Sequence, residues 1–358
     1  MRYPLPFGDG PVVISGGAGF IGSNVADRLL LEGQPVVILD NLSRGNVAAN
    51  LEWLRGRHGA RLAVEIGDVR DAPVVERVVR RAAAVFHYAA QVAVTTSLVA
   101  PIEDFEINAR GTLNLLEAIR RRETPPPLVF TSTNKVYGRL DDVELGLRGS
   151  RYEPRDPAVR KHGLGEQRPL DFHSPYGCSK GAADQYVLDY ARTFGLPAAV
   201  LRMSCIYGPR QFGTEDQGWV AHFLIRARDH EPVVIYGDGR QVRDILFIDD
   251  LVEAMLAAQA SLGQIAGRAF NIGGGPANTI SLLELLDLIG DLAGARPEVR
   301  FEPWRTADQR YYVSDVREFR AATGWSPRVR VRDGVARLRE WLAQAPRLAP
   351  AAAVRSAS

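Results

Sequence analysis

Tyr176 and Lys180 stand four residues apart in Tyr176-Gly177-Cys178-Ser179-Lys180. Inside a helix, residues i and i+4 share a face. A free tyrosine has a pKa of about 10. A lysine cation and an oxidised nicotinamide beside it both favour the phenolate and lower that value. Such a phenolate can take the proton of an alcohol while hydride leaves the carbon beneath it. A Tyr-x-x-x-Lys spacing is common by chance, so the pair needs company. Thr133 supplies it, in Thr131-Ser132-Thr133-Asn134-Lys135-Val136-Tyr137-Gly138, just past a strand candidate. In α/β sheets ligands sit off the carboxyl ends of strands, where a hydroxyl can hold the same substrate oxygen as the tyrosine. Taken alone, Thr133 reads as a turn residue.

A second constellation suits an anion. Val12 to Ser15 run into Gly16-Gly17-Ala18-Gly19-Phe20-Ile21-Gly22, and an amphipathic stretch follows. Glycines at 16, 19 and 22 allow a tight turn, close approach of a pyrophosphate, and packing of helix on strand, with the phosphate at the helix N-terminus. A second strand ends at Asp40, with Asn41 next. A carboxylate there can accept from both ribose hydroxyls and repels a 2′-phosphate, so NAD is expected over NADP. Asp68 and Val69 follow the third strand. Asp68 reads either as a partner of the adenine amino group or as a solvated turn carboxylate. Ala89 and Ala90 leave room beside a cofactor, or are ordinary small-residue packing.

The elements that must position these groups alternate. Strands are expected at 12–15, 36–39, 62–66, 84–87, 128–131 and 198–202, and helices at 20–32, 72–82, 102–121 and 175–194. That pattern implies βαβ units and an α/β fold with a Rossmann-like, doubly wound parallel sheet. Residues 1–204 form the expected NAD-binding domain carrying the catalytic residues. Within it, 139–173 lacks a clear period and reads as a long loop or insertion. Residues 205–345 form mainly a smaller C-terminal lobe, with some segments returning to the first domain. The stretch 346–358 reads as a disordered tail.

The bulk numbers close off other classes. Lys and Arg total 44 against 42 Asp and Glu, a net charge of +2, which argues against a general nucleic-acid binder. Cys178 and Cys205 lie far apart, with no metal-ligand spacing and no disulfide framework. No leader sequence and no membrane span are expected, so the default location is cytoplasmic.

Together the glycine loop, Asp40, Thr133, Tyr176 and Lys180 resemble the extended short-chain dehydrogenase/reductase family of sugar-nucleotide epimerases and dehydratases, from Val12 to about Leu342. The carboxyl-terminal part fits too, in Tyr207-Gly208-Pro209-Arg210, Tyr236-Gly237-Asp238-Gly239, Gln241-Val242-Arg243-Asp244, Phe270-Asn271-Ile272-Gly273, and Arg305 with Asp308. The resemblance implies NAD as cofactor and a C-terminal nucleotide-sugar lobe. There Arg210, Gln211, Tyr236, Arg243, Arg305 and Asp308 would contact substrate, with Arg243 on the diphosphate, a role that suits arginine's planar fork. It also implies a homodimer or higher homo-oligomer, with the dimer interface on the helices at 102–121 and 175–194. Cys205 departs from the family, which often has an asparagine near the diphosphate there.

The 4,6-dehydratases of this family carry an Asp-Glu pair after the catalytic threonine. This chain has Asn134-Lys135, so dehydration is disfavoured. Longer strings, among them Gln91 to Ser97, Asp104 to Asn108, Asp171 to Tyr186 and Asp216 to Val220, resemble the subgroup that inverts carbon 2 of CDP-linked deoxyhexoses. Gln91, Asn134 and His173 would then line the sugar pocket, or else serve as satisfied loop residues. The implied chemistry is transient oxidation at carbon 2, with NAD regenerated each turnover and no metal. Carbon-4 epimerisation of another nucleotide sugar, net dehydrogenation, and a non-catalytic NAD-binding sensor or scaffold remain the competing readings.

Overall fold

The computed structural model describes residues 9–345, so the expected tail at 346–358 lies outside them. Seven strands make one wholly parallel sheet. In space the order is Ala269–Ile272, Ala198–Met203, Leu128–Thr133, Ala84–His87, Val12–Ser15, Val36–Asp40, Leu62–Ile66. The chain builds outward from Val12–Ser15 to one side, then crosses and builds to the other. The order therefore reverses between Val12–Ser15 and Ala84–His87, and a crevice opens at their carboxyl ends, where such sheets bind ligands.

All six expected strands are present. Three run slightly further than expected, to Asp40, Thr133 and Met203. Ala84–His87 and Leu128–Thr133 are buried at every position, which accounts for their unbroken apolar runs. Side chains alternate between two cores. Val12, Ile14 and Phe86 face one, which also holds Leu29 and Met255; Val13, Val85 and Phe130 face the other, with Leu115 and Val187. This is the doubly wound arrangement, with helices on both faces.

Three expectations change. The helix at 102–121 is broken into Pro101–Phe105, a single π-turn Glu106–Arg110, and Gly111–Arg120. The stretch 139–173 is not one long loop. It holds a hairpin of Leu145–Arg148 with Arg151–Pro154 and a short helix Pro157–His162, capped by Asp156 accepting from the Ala158 amide. It is tied down where Leu164 N–H donates to Val313 O (2.7 Å) and Asn271 N–H to Glu166 Oε1 (2.7 Å). A helix at Val47–His58, not expected from the sequence, follows the second strand.

Beyond 205 a second sheet is built on Val242–Phe247. It pairs antiparallel with Thr279–Ser281 and parallel with Tyr311–Tyr312 and Cys205–Tyr207. Ala269–Ile272 returns to the large sheet as its seventh strand, beside Ala198–Met203. No described helix is long and apolar enough to cross a membrane.

Candidate active site

The glycine loop is shaped by contacts no side chain would permit. At Gly16, with φ +70°, a Cβ would meet Ala89 N at 2.6 Å, and at Gly22 it would meet Gly16 O at 2.3 Å. The helix Phe20–Leu31 starts at Gly19 without a side-chain cap, so its first amides are available to an anion. Asp40 braces this loop: Oδ2 accepts from Ala18 N–H (3.0 Å) and Oδ1 from Leu42 N–H (2.9 Å). Burial raises the Asp40 pKa, and those amides oppose the rise. The cradle, the uncapped amides and a carboxylate beyond them fit a pyrophosphate followed by a ribose. Asp68 is engaged by Arg70 (2.8 Å) and by Asn41 Nδ2 (2.8 Å), and the Arg70 hydrogen bond holds its carboxyl down at about 2.

Across the crevice, Tyr176 and Lys180 lie in the first turns of the helix Pro175–Phe194. Ser174 caps that helix, accepting from Gly177 N–H at 3.0 Å with φ at +147°, a backbone conformation costly for a residue with a Cβ. Thr133, Tyr176 and Lys180 are all buried, and the Thr133 hydroxyl is one of the groups that favour the phenolate. The phenol differs from the sequence expectation. Burial pushes it up to about 12, with Thr133 and Arg44 pulling down and Asp104 pushing up. The Lys180 ammonium donates to Thr131 O (2.7 Å) and sits 4.3 Å from the Phe130 ring centre. Burial lowers it to about 7, against the pull of Asp184 and Asp104.

A network that sequence reasoning missed supports this pair. Asp104 Oδ1 accepts from Gln91 Nε2 (2.7 Å) and Asn108 Nδ2 (3.2 Å), and Ser179 Oγ donates to Oδ2. Ser97 Oγ accepts from Tyr176 N–H at 3.1 Å. His87 was missed as well. Thr112 gives its hydroxyl proton to Asn108 O (2.6 Å), so its oxygen accepts from His87 Nε2–H (2.9 Å), and Nδ1 accepts from Ser15 Oγ–H (2.5 Å). Burial and Lys180 lower His87 to about 3, so it is neutral. The spacing of Asp104 and Asn108 was the one available signal, since i and i+4 face the same way.

The expected substrate residues fall into separate groups. Gln91 spends its amide on Asp104 and on the Ala93 backbone. Asn134 donates to Gln309 Oε1 (3.2 Å), and Gln309, fully buried and unforeseen, donates to Gly138 O (2.6 Å). Arg243 Nη2 meets Asp308 Oδ1 at 2.9 Å. Arg305 stacks 3.8 Å over Tyr236 and pairs with Glu215 at 3.1 Å. Arg210 lies 3.8 Å over the Trp53 ring and 5.7 Å from that of Trp341. Gln211 Nε2 donates to Ile206 O at 3.1 Å. His173 pairs with Asp171 at 2.8 Å. Among the described residues, no His/Cys/Asp/Glu group could hold a metal ion.

Residues 12–273 match the family model described as the NAD dependent epimerase/dehydratase family. The chain is 44% identical over 337 residues to the CDP-paratose 2-epimerase of Salmonella typhi, covering 92% of this chain and 98% of the relative. Among solved structures it is similar to the UDP-glucose 4-epimerase of Thermotoga maritima with UDP-glucose, at 31% identity and a TM-score of 0.80, covering 93% of this chain and 99% of that one. It is also similar to the UDP-glucose 4-epimerase of Thermus thermophilus in complex with NAD, at 32% identity and a TM-score of 0.78, covering 94% and 100%.

Proposed function

From the premise that this chain belongs to the NAD-dependent epimerase/dehydratase family, we propose that it inverts carbon 2 of a CDP-linked deoxyhexose. The observation that carries this is the 44% identity, near full length, to a carbon-2 epimerase of a CDP-sugar. Identities to the carbon-4 epimerases and the 4,6-dehydratases in the same comparison are 29–34%.

The residues divide the work. Gly16, Gly19, Phe20, Ile21 and Gly22 would hold the pyrophosphate of NAD, Asp40 and Asn41 its adenosine ribose, and Asp68, Val69, Ala89 and Ala90 would border it. Bound NAD supplies an acceptor that takes a hydride from the sugar and gives it back. The hydrogen on carbon 2 has no carbonyl neighbour and is not acidic, so the route assigned here passes through a ketone. Tyr176 takes the hydroxyl proton as that ketone forms and returns it once the sugar has presented its other face. Thr133 holds the same oxygen, and Lys180 adds positive charge to the pocket. Asn134 and Lys135 provide no carboxylate for eliminating water. Asn134, His173, Gln91, Arg210, Gln211, Tyr236, Arg243, Arg305 and Asp308 are assigned to the substrate side. We also assign residues 1–204 and 205–345 to the cofactor and substrate ends, and the enzyme to the cytoplasm as a homodimer.

Carbon-4 inversion uses the same catalytic residues, and UDP-glucose 4-epimerases are among the structural neighbours. Incubation with a panel of CDP-, UDP-, GDP- and dTDP-sugars, with products resolved by NMR, separates the two. A CDP-deoxyhexose should give its carbon-2 epimer without net NADH. In deuterated water carbon 2 should stay free of deuterium, because its hydrogen returns without meeting solvent. Conversion of UDP-sugars alone at carbon 4 would overturn the assignment, and deuterium at carbon 2 would overturn the route.

A further inference from the structure

Lys135 has no task in the mechanism above. It follows Thr133 by two residues on the turn Asn134–Tyr137, and its N–H donates to Thr133 Oγ1 (3.2 Å). Its ammonium reaches the loop 305–309, donating to Ala307 O at 3.4 Å and lying 3.9 Å from Asp308 Oδ1. That same carboxylate oxygen accepts from Arg243 Nη2 at 2.9 Å. Two cations thus share one carboxylate, and the cluster keeps one net positive charge. Burial lowers the Lys135 pKa, Asp308 raises it, and Arg243 lowers it again. Like charges held together away from water are relieved by a further anion. Cys205 lies within electrostatic reach of both Lys135 and Arg243.

We propose that Lys135, paired with Arg243, binds the sugar-linked phosphate of a nucleoside diphosphate sugar, and so sets which carbon of the sugar reaches Thr133 and Tyr176. The inference rests on the nucleotide-sugar reading above and sharpens it. Carbon 2 is separated from that phosphorus only by carbon 1 and the glycosidic oxygen, whereas carbon 4 lies across the ring. If carbon 2 reacts at Tyr176, the phosphate has to lie close beside the catalytic threonine. A cation anchored two residues from Thr133 meets that need, and a lysine meets it as a point charge on a flexible stem. Asp308 keeps the two cations close until the phosphate arrives.

The test titrates the full-length protein with whichever of CDP, UDP, GDP or dTDP binds tightest, and with the matching monophosphate, by calorimetry. Lys135→Met and Lys135→Arg are measured beside the wild type, with NAD affinity and thermal unfolding in parallel. Lys135→Met should weaken the diphosphate by about tenfold to a hundredfold, the usual scale for a lost charged hydrogen bond. Monophosphate and NAD affinity should hold, and Lys135→Arg should recover most of the loss. Unchanged diphosphate affinity in Lys135→Met overturns the proposal. So does an equal loss for both nucleotides that follows a loss of stability, which would make Lys135 a tie between the turn and the 305–309 loop. Either result leaves the nucleotide-sugar reading standing. Failure of the wild type to bind any of the four diphosphates overturns that reading and the proposal with it.

Discussion

Tyr176 sits where its own ionisation is opposed. Burial pushes the phenol to about 12, the Asp104 charge pushes the same way, and Thr133 and Arg44 pull back. A sugar hydroxyl and a cationic cofactor ring beside it would favour the phenolate against that burial. Tyr176→Phe should lower kcat by about a hundredfold or more while NAD binding and the unfolding midpoint persist; near-normal turnover would place the base elsewhere. Asp104 is a positioning residue whose sign is testable. Removing its charge as Asp104→Asn takes away an influence that raises the phenol, so the ascending limb of the kcat–pH profile, on which the base loses its proton, should move to lower pH. An unmoved limb would leave Asp104 with a packing role only. Thr133, Tyr176 and Lys180 were legible because the chemistry fixes their types and places them on a strand end and one helix face. Asp104, His87 and Gln309 were not, because their partners come from Ser179, Ser15 and Asn134, far away in the chain.

Between the residues, the strands were read almost to the residue, while some helices were not. Val47–His58 buries Val47, Asn50, Leu51, Leu54 and His58, which is helical spacing. Two of those five are polar, and that masks the period. Asn50 is buried to bind Ala18 O (3.2 Å) and His58 to bind Asp27 (2.6 Å). The π-turn Glu106–Arg110 interrupts a stretch whose sequence reads as continuous helix, and it presents Asn108 to Gln91, Asp104 and Ser179. Such turns gather at functional sites. The stretch 139–173 shows no period because tertiary ties hold it, and Glu166 is one of them. Burial raises its carboxyl from 4.5 to about 7, so the folded chain holds that proton more tightly than the unfolded chain. The contribution is fully present below the unfolded value and is lost as pH rises through the folded one, a window from about 4.5 to 7. Glu166→Gln keeps an acceptor for the Asn271 amide and does not titrate. Relative to wild type, it should gain stability between pH 5 and pH 8, on the order of 1 kcal/mol after solvent screening. Parallel denaturation midpoints at the two pH values would show that the carboxyl does not govern this tie.

At the scale of the whole molecule, the catalytic network and an apolar surface lie on opposite sides of one helical layer. The helices Val94–Val99 and Pro101–Phe105 both pack on Pro175–Phe194. Inward they bury Ser97 and Asp104, which support Tyr176 and Ser179. Outward they leave Val99 68%, Ile102 79% and Phe105 52% exposed, and the long helix adds Tyr186 and Phe194. An apolar patch on the back of a functional layer is characteristic of an interface. Burying it against a second copy also suits the supporting network, because a layer clamped on both sides holds Tyr176 more firmly. A stable pair has to bury on the order of 1,000 Å² or more in total, which two helices from each copy can supply. The protein should therefore sediment at twice the chain mass at micromolar concentration. Replacing Ile102 and Phe105 together by Glu places carboxylates in the middle of that face, and burying them unpaired costs more than the remaining contacts return. The double variant should sediment as a monomer that still binds NAD, since neither residue borders the glycine loop. A wild-type chain that sediments as a monomer, or a double variant that stays paired, would remove this face from the assembly.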